Sequence, residues 1–561
     1  MAQTISTVTT GSTLPDLTLE QRRRREAENR VVIAHVYTAT AAIVVGALFG
    51  ALQGMSRASA FIAPGWFDYY RILTMHGVLM ALVFTTFFIT GLSLWVTYRS
   101  IVRPKRSLVL GWLSWWVMLA GVLMAAVEIL AGNATVLYTF YAPLKASPYF
   151  YIGASLLIIG TWIVAYDIFA NVVWFRQHNR GQAVPLPAFC AAATFLMWWI
   201  ATLGVVGEMY FLVPWAFGWT SGINVMLSRL LFWYFGHPLV YFWIMGAYIC
   251  WYNIVPKFYN GNVFSDGLTR LTFIMLLLLS TPVGIHHEFM EPGIAPQWKM
   301  LHTLTTYGVA IPSFLTAFAI FASFELAARA QGKRGFWQTV KMLPWNSPAF
   351  CGPAYGMLLF ILGGFGGLVN ASYSMDTVVH NTIWIVGHFH VTVGGPVALT
   401  FVGIAYWMIP KLTGRNLWKP DWALWQTRLW FLGMLVMSFS MHIAGLLGAP
   451  RRTAQVGYLG SAPNEWEAYM LAAAAGGLIL FTSIIIFAVV AIGTLLSNDK
   501  TADTSVEFAT APPGGEPAPR LLQSLFRWGA VALVAAALAY AGPLLDILHN
   551  PGFMAPGMRT W

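Results

Sequence analysis

The chain has 561 residues, of which 58% are hydrophobic and only 9% are charged. Apolar runs of about twenty or more residues recur from Val31 onward, each long enough to cross a hydrocarbon layer of about 30 Å, which excludes a soluble multidomain protein. The formal net charge of +11 is spread over short polar segments and forms no basic stripe, so nucleic-acid binding is excluded as its cause. The composition predicts an all-α integral membrane protein.

Breaks of polar residues, Pro and Gly divide the apolar runs into thirteen predicted transmembrane helices. Their predicted ranges are 31–56, 70–98, 107–131, 150–175, 186–217, 229–256, 269–290, 299–328, 347–371, 379–410, 426–449, 467–497 and 524–548. We predict a cytoplasmic N-terminal segment at 1–30 and a twelve-helix core at 31–497. A flexible cytoplasmic linker at 498–523 and an additional C-terminal helix with a tail at 524–561 follow.

The basic residues predict which side of the membrane each segment faces. If the N-terminus is cytoplasmic, most of the 32 Lys and Arg residues fall on the inside, among them Arg22, Arg103 and Lys105. The first apolar run is too long for a cleaved signal peptide and lacks a cleavage site of small residues, so we expect it to be retained.

Three cysteines, Cys190, Cys250 and Cys351, are too widely separated to predict a disulfide framework or a paired thiolate metal site. Any thiolate copper centre or iron–sulfur cluster that works with this protein is therefore expected on another chain.

Six histidines are predicted to lie inside membrane helices, all in the outer half of the bilayer. They are His76, His237, His286, His287, His388 and His390. A single histidine in a membrane helix is more often a hydrogen-bonded packing residue than a ligand. Six from four separate segments at a similar depth favour a shared site, since ionisable groups are costly in the membrane.

Helix geometry sorts these histidines into sets. His388 and His390 project about 200° apart on one helix, so each can ligate a different partner. Two histidines saturate a haem iron for electron transfer, and His76 could complete such a pair, whereas one histidine leaves a position open for dioxygen. The remaining three imidazoles suit copper or another borderline metal.

Several segments resemble the signatures of subunit I of the haem-copper oxygen reductases. They are TMHGVLM, GHPLVYFW, STPVGIHHEF and VVHNTIWIVGHFHV, and the family's helices cover almost the whole chain. GNATVLYTFYAPLK and GLLGAPRRTAQ, with the thirteenth helix, are most similar to the B-type branch that includes the Thermus-like cytochrome c oxidase.

The resemblance implies a cofactor for each histidine set. A low-spin, b-like haem is expected on His76 and His390, and a high-spin haem, a-like or a variant, on His388. One copper ion, copper B, is expected on the other set, which comprises His237, His286 and His287.

Tyr241 follows His237 by four positions and therefore lies on the same helical face. Its phenol could reach both the copper ligand and bound oxygen. The resemblance implies a covalent link between these two side chains and a catalytic role for both, whereas most membrane tyrosines are packing residues.

Leu239 stands where the A-type branch of the family has a glutamate after its His-Pro pair, so the usual glutamate-gated proton route is missing. A single path of hydroxyl groups resembles the K-like channel of B-type enzymes. Its candidate members are Tyr241, Tyr248, Tyr252, Ser313 and Thr316. The alternative is that these hydroxyls bond back to carbonyls of their own helices.

Arg451 and Arg452 follow the eleventh helix at the outer surface, where two guanidinium groups could clamp haem propionates. By resemblance, Asp376 and His380 join this propionate and proton-loading region, and Arg229 with Glu291 forms a neighbouring ion pair. A rim of unrelated solvated charges is the alternative.

The function predicted from the resemblance is a terminal respiratory oxidase that reduces O2 to water and translocates protons across the inner (plasma) membrane of a prokaryote. Expected partners are subunit II with a dinuclear copper domain, a small helical subunit and cytochrome c, with another cupredoxin or quinol as alternative donors. Two other functions compete: a nitric oxide reductase of the same superfamily, and a proton-coupled transporter whose histidines relay protons. The presence of Tyr241 and three copper-ligand histidines favours the oxidase.

Overall fold

The computed structural model describes residues 18–104, 106–514 and 517–560. In this part of the chain, thirteen helices are long and apolar enough to cross a membrane, which confirms the predicted fold. They are α1 (Leu19–Arg57), α2 (Gly65–Ser100), α3 (Val109–Leu130), α4 (Pro148–His178), α5 (Leu186–Phe217), α6 (Val225–Tyr259), α7 (Asp266–Glu288), α8 (Pro296–Ala330), α9 (Pro348–Ala371), α10 (Ile383–Thr413), α11 (Pro420–Leu446), α12 (Asn464–Leu496) and α13 (Leu525–Leu548).

Parts of four predictions lie outside the described residues. These are residues 1–17 of the N-terminal segment, Lys105 of the basic set, residues 515–516 of the linker and Trp561 of the tail.

Helix α1 begins well before the first predicted membrane segment. Thr18 caps it, since its hydroxyl accepts from the Gln21 backbone N–H, and the Gln21 side-chain oxygen accepts from the Thr18 backbone N–H. Farther along, the buried Glu28 carboxylate lies 3.0 Å from Arg99 and 2.8 Å from Arg106. Hydropathy identifies only the apolar part of α1. The cap and the ion pairs of Glu28 stabilise the polar turns that precede this part.

Small residues allow neighbouring helices to approach closely. A Cβ atom on Gly121 of α3 would lie 2.5 Å from the Gly153 carbonyl oxygen of α4. A Cβ on Gly476 of α12 would lie 2.5 Å from the Met437 backbone nitrogen of α11. Such close backbone packing is typical of membrane helices, which gain little from hydrophobic burial against each other.

The helices are irregular at the predicted histidine positions. A π-helical stretch, Val78–Phe84, follows His76 in α2, and a second, His390–Ala398, begins at His390 in α10. Such bulges are rare and are frequent at functional sites, because the wider turn redirects side chains. Pro238 within α6 follows His237 and removes one backbone hydrogen-bond donor there.

The end of α7 also departs from a regular helix. Its α-helical part ends at Ser280, and a 3-10 turn, Ile285–Glu288, carries His286 and His287. Pro282 and Gly284 lie between the two, so the pair is presented from a turn rather than from a helical face.

Helix α13 and the chain after it are tied into the fold. α13 packs against α5, α6, α7 and α8. Strand β1 (Leu144–Lys145) pairs in parallel with β4 (Met558–Arg559), and β2 (Ile223–Asn224) pairs antiparallel with β3 (Met554–Ala555). The C-terminal tail therefore fastens two loops at the predicted outer end of the bundle.

Residues 498–514, which are part of the predicted linker, contact the helix bundle at several points. The Ala509 N–H donates to the Asn253 carbonyl at 2.8 Å, and Lys411 pairs with Asp503 at 2.8 Å. Phe508 packs against the bundle, with its ring centre 6.4 Å from that of Trp95. These three contacts, spaced along a polar segment, hold residues 498–514 against the ends of the helices.

Candidate functional site

One cavity of about 470 Å³ brings together most of the predicted site residues. Those that line it are His76, His237, Tyr241, His286, His287, Ser313, Asp376, His380, His388, His390, Arg451 and Arg452. The cavity lining is mostly apolar with a few polar groups, as in cofactor sites. Leu239 also lines it, so an aliphatic side chain stands at the position of the A-type glutamate.

His76 and His390 face each other across part of this cavity. Their ring centres are 6.1 Å apart and their planes differ by 7°. Nδ1 of His76 donates to the Gly46 carbonyl at 2.8 Å, and Nδ1 of His390 donates to the Val386 carbonyl at 2.8 Å, which leaves Nε2 of both rings free. Two imidazoles on opposite sides of one metal, each bonded at about 2 Å, have ring centres about 6 Å apart.

His388 lies on the other side of α10, against the glycine-rich middle of α9. Its Nδ1 donates to the Thr392 hydroxyl at 3.2 Å, so its Nε2 is the free ligand atom. A Cβ on Gly366 would lie 2.4 Å from His388 Nδ1. Likewise, a Cβ on Gly50 of α1 would lie 2.7 Å from the His76 ring. Glycines therefore make room for both imidazoles at the cavity wall.

The third set of histidines forms a compact cluster. The candidate ligand atoms of His237, His286 and His287 all lie within 4.8 Å of one another, and Nδ1 of His237 is 3.2 Å from Nε2 of His287. Nitrogens bonded at about 2 Å to one metal with trigonal or tetrahedral angles are about 3.3–3.5 Å apart. The three imidazoles can therefore hold one borderline metal ion.

Contacts that sequence reasoning missed orient this cluster. The Thr306 hydroxyl donates to the His302 carbonyl and accepts from Nδ1 of His286 at 3.1 Å, so Nε2 of His286 is left for a metal. The His302 ring accepts from the Ile285 N–H at 3.4 Å and donates to the Ala539 carbonyl of α13 at 3.3 Å. His302 is therefore a satisfied core residue that links α13 to the turn carrying His286 and His287.

Trp233 is a further missed contact. Its ring stacks on His287 with centres 3.8 Å apart and planes at 9°. Trp233 precedes His237 by one helical turn, which is the signal that could have predicted the stack.

Tyr241 packs beside His237, with ring centres 4.8 Å apart. Nδ1 of His237 belongs to the cluster, and its Nε2 is buried without a hydrogen-bond partner among the described residues. The free nitrogen and the phenol are thus close neighbours.

The predicted hydroxyl path is partly connected. The Tyr252 hydroxyl donates to Thr316 at 3.1 Å, while the Thr316 hydroxyl donates to the Pro312 carbonyl of its own helix at 2.9 Å. The Tyr248 hydroxyl lies beside Ser313 and Thr316 but has no well-formed hydrogen bond to either. Ser313 lines the cavity, whereas Tyr248 and Thr316 lie outside its lining. Thr316 thus contacts another member of the predicted path, Tyr252, and also bonds to a carbonyl of its own helix, as the alternative expects.

Two arginines and a carboxylate–imidazole pair lie at the predicted outer end of the cavity. Nη2 of Arg451 donates to the Asn381 side chain at 2.5 Å, and Asp376 lies 3.0 Å from Nδ1 of His380. Burial, with the neighbouring Arg452, lowers the pKa of Arg451 to about 10. This end of the cavity therefore favours anionic groups.

The loop between α3 and α4 adds two tyrosines to this region. Burial raises the pKa of Tyr138. Burial also tends to raise the pKa of Tyr141, but Arg452 and Arg229 outweigh it and lower that pKa below its usual value of 10.0. Arg229 forms the predicted ion pair with Glu291, with two bonds of 2.9 and 2.7 Å.

A family model described as Cytochrome C and Quinol oxidase polypeptide I matches residues 30–479. The chain belongs to this oxidase polypeptide I family. Cytochrome c oxidase subunit 1 of Thermus thermophilus is 41% identical over 543 residues, which covers 93% of this chain and 95% of the relative. The same subunit of Thermostichus vulcanus is 26% identical, with 86% and 87% coverage.

A solved structure, described as the cryo-EM structure of a heme-copper terminal oxidase dimer, is similar over the same length. Its TM-score is 0.90 at 36% sequence identity, and the match covers 95% of both chains. The predicted resemblance, the fold and the oxygen-reducing oxidoreductase function are confirmed. As an oxidase polypeptide I, the chain is the catalytic subunit of a terminal oxidase in the membrane, and the reductase and transporter alternatives are not favoured.

Membership in this oxidase family implies haem and copper as cofactors. The residues fit both. Three imidazoles keep a free Nε2 at the cavity wall while their Nδ1 atoms are fixed by hydrogen bonds, and a separate three-histidine cluster has metal-ligand spacing. Fixing the second ring nitrogen in this way sets the tautomer and orientation of a ligand histidine.

Proposed function

We propose that this catalytic subunit couples the reduction of dioxygen to proton translocation, with cytochrome c as the electron donor. The observation that carries the proposal is the facing pair of His76 and His390, one helix face away from His388 and in the same cavity as the three-histidine cluster. An electron-transfer centre and an oxygen-binding centre can thus lie side by side.

The assigned ligand roles follow the three sets. His76 and His390 hold the low-spin, b-like haem, and His388 holds the high-spin haem, which is a-like or a variant. The copper B ligands are His237, His286 and His287. When bound, these cofactors supply electron transfer and the open coordination position for dioxygen.

Tyr241 and His237 form the catalytic pair. The short distance between their rings and the unpartnered Nε2 of His237 support a covalent link between the two side chains. The Tyr241 phenol lines the cavity and can deliver a proton and an electron there.

Protons for this step travel through the predicted hydroxyl path. Tyr248 and Thr316 receive them from the cytoplasmic side, and Ser313 passes them to Tyr241. The hydrogen bond of Tyr252 to Thr316 and the exposure of Ser313 to the cavity support this order. Waters must bridge the remaining gaps, since the Tyr248 hydroxyl lacks a direct partner.

Arg451 and Arg452 bind haem propionates, and Asp376 with His380 holds protons beside them. Two adjacent guanidiniums at one end of the cavity support this assignment, because each can form charge-assisted hydrogen bonds to a carboxylate. Nε2 of His380 is buried without a hydrogen-bond partner among the described residues, so it is free to donate to a carboxylate or a water.

The partners of the subunit follow from the proposed electron path. Subunit II with a dinuclear copper domain passes electrons to the low-spin haem, a small helical subunit completes the complex, and quinol is the alternative to cytochrome c.

We place the N-terminal segment 1–30 and the segment 498–523 in the cytoplasm of a prokaryote, with residues 31–497 as the core and 524–561 as the added helix and tail. The distribution of basic residues supports this orientation.

Haem and metal analysis of the purified complex tests the assignment. Two haems, one of them six-coordinate, and one copper should be found per chain, in addition to any copper of subunit II. A complex that contains one haem, or that has iron in place of copper, contradicts it.

A further inference from the structure

Arg57 is a buried cation that no assigned role yet uses. It is the last residue of α1, is 5% exposed and lines the cavity. Its Nη2 donates to the Tyr69 hydroxyl at 2.5 Å, but Nε and Nη1 are buried and have no hydrogen-bond partner among the described residues. A guanidinium has five N–H donors, so most of its capacity is unmet.

Burying a charge without a counterion is energetically costly, so we expect the Arg57 guanidinium to have an anionic or polar acceptor. No carboxylate of the described residues lies within ion-pair distance of Arg57. The nearby Asp68 is already engaged, since it accepts from the Tyr70 and Arg71 backbone N–H groups. The acceptor must therefore come from what fills the cavity.

The position of Arg57 along α1 relates it to His76. The Gly46 carbonyl accepts from His76, and Gly50 packs against the same ring. Arg57 follows Gly50 by seven residues, which is two turns or about 10 Å toward the predicted outer side. A tetrapyrrole held by His76 and His390 would bring the carboxylates at its edge toward this end of the cavity.

Other polar atoms of the cavity share this location. Gln53 lies one turn before Arg57, is 8% exposed, lines the cavity and has an unpartnered Oε1. Arg451 and Arg452 line the same cavity. Three guanidiniums are thus available to the four carboxylates that two haems carry.

We propose that Arg57 binds a propionate carboxylate of the low-spin haem, held in place by the Tyr69 hydroxyl, with Gln53 as a neighbouring polar contact. This inference rests on the proposed placement of that haem between His76 and His390. Arg57 thereby places a buried positive charge beside the haem and raises its reduction potential, since added positive charge disfavours the ferric state.

The test is the midpoint potential of the low-spin haem in the purified complex, measured by redox titration of its absorbance. Arg57→Gln should shift that potential to a lower value while the six-coordinate spectrum and the haem content stay unchanged. Arg57→Lys keeps the charge but cannot form a forked bond, so we expect a smaller shift in the same direction. Arg71→Gln is the matched control, because Arg71 does not line the cavity and donates to the Trp66 and Leu130 carbonyls. It should shift the potential less than Arg57→Gln does.

A wild-type potential in the Arg57 variants overturns the inference, as does an equal shift in the Arg71→Gln control. If Arg57→Gln does not assemble, Arg57→Lys decides alone, and an unshifted potential in it counts against the inference. Failure of the underlying haem assignment has a different signature: a six-coordinate haem that survives in His390→Ala.

Discussion

At the scale of single residues, four of the six candidate ligand histidines have one ring nitrogen held by a protein oxygen and the other left for a metal. The fixed contacts come from a backbone carbonyl for His76 and His390, and from hydroxyls for His286 and His388. Preset tautomers reduce the reorganisation that metal binding requires.

The facing pair gives the first prediction. His76→Ala or His390→Ala would remove one of the two proposed ligands of the low-spin haem, so we expect loss of the six-coordinate haem spectrum in membranes that still contain the folded chain. Absorbance spectra of the reduced complex check this result. Retention of that spectrum in both variants contradicts the assigned ligands.

The Thr306 hydroxyl gives the second prediction. Thr306→Val keeps the side-chain volume but removes the acceptor for Nδ1 of His286. Loss of such an outer contact lowers metal affinity by roughly 10–100-fold. Copper retention during dialysis against a graded chelator measures this change.

Thr305→Val is the control for that experiment, since the Thr305 hydroxyl donates only to carbonyls of its own helix. Equal copper retention in Thr306→Val and the wild type shows that the hydroxyl does not position the ligand.

Sequence reasoning found the histidines but not the residues that hold them. Six intramembrane histidines are conspicuous because such groups are costly in a bilayer. Thr306 and His302 are ordinary helix residues by composition, and their contacts reach His286, Ile285 and Ala539, which lie far away in the sequence. Only the folded chain brings these partners together.

At the scale of elements, the thirteen membrane helices could be predicted because a bilayer requires long apolar segments with internal hydrogen bonds. Hydropathy does not report the π-helical stretches at Val78–Phe84 and His390–Ala398 or the capped start of α1. These features depend on local backbone geometry and on polar contacts. Composition also does not reveal the contacts that residues 498–514 make with the bundle, because these contacts are spaced along a polar segment.

The anchored segment gives the third prediction. Asp503→Asn should raise hydrogen–deuterium exchange of residues 499–509 by a few-fold, since an exposed ion pair contributes about 0.2–1 kcal/mol. The hydrogen bond from Lys411 and those from Ser505 lower the pKa of Asp503 from 3.8 to about 2. Because the pKa of Asp503 is lowered in the folded chain, its ionised carboxylate stabilises the segment fully above about pH 3.8. This stabilisation is lost only as the pH falls toward 2.

Exchange at pH 6 and pH 8, corrected for the intrinsic rate, should therefore show the same effect of the substitution. Lys500→Gln changes an exposed residue of the same segment and serves as the control. Unchanged exchange in Asp503→Asn means that the ion pair does not anchor the segment.

At the scale of the whole molecule, one cavity joins the candidate cofactor ligands, and the proposed hydroxyl path would lead to it from the cytoplasmic side. The aliphatic Leu239 side chain in the cavity wall offers no second carboxylate route. Protons for chemistry and for pumping are thus expected to share a path.

The fourth prediction concerns that path. Thr316→Val removes the hydroxyl that accepts from Tyr252, so oxygen consumption and proton pumping should slow in parallel while the haem spectra stay unchanged. Each tenfold loss of turnover corresponds to about 1.4 kcal/mol of added barrier. Oxygen-electrode and pH-electrode recordings on proteoliposomes measure both rates.

Tyr248→Phe tests a second member of the path in the same assay. Normal turnover and pumping in both variants means that protons enter elsewhere, and the single-path interpretation is then wrong.

The central claim is that this chain reduces dioxygen at a metal pair held by its own histidines. Oxygen uptake by the purified complex, supplied with a measured quantity of reductant, tests it most directly. One O2 should be consumed for every four electrons, and His286→Ala should abolish uptake while both haems remain bound. A wild-type complex that consumes no oxygen, or a His286→Ala complex that consumes it at the wild-type rate, contradicts the claim.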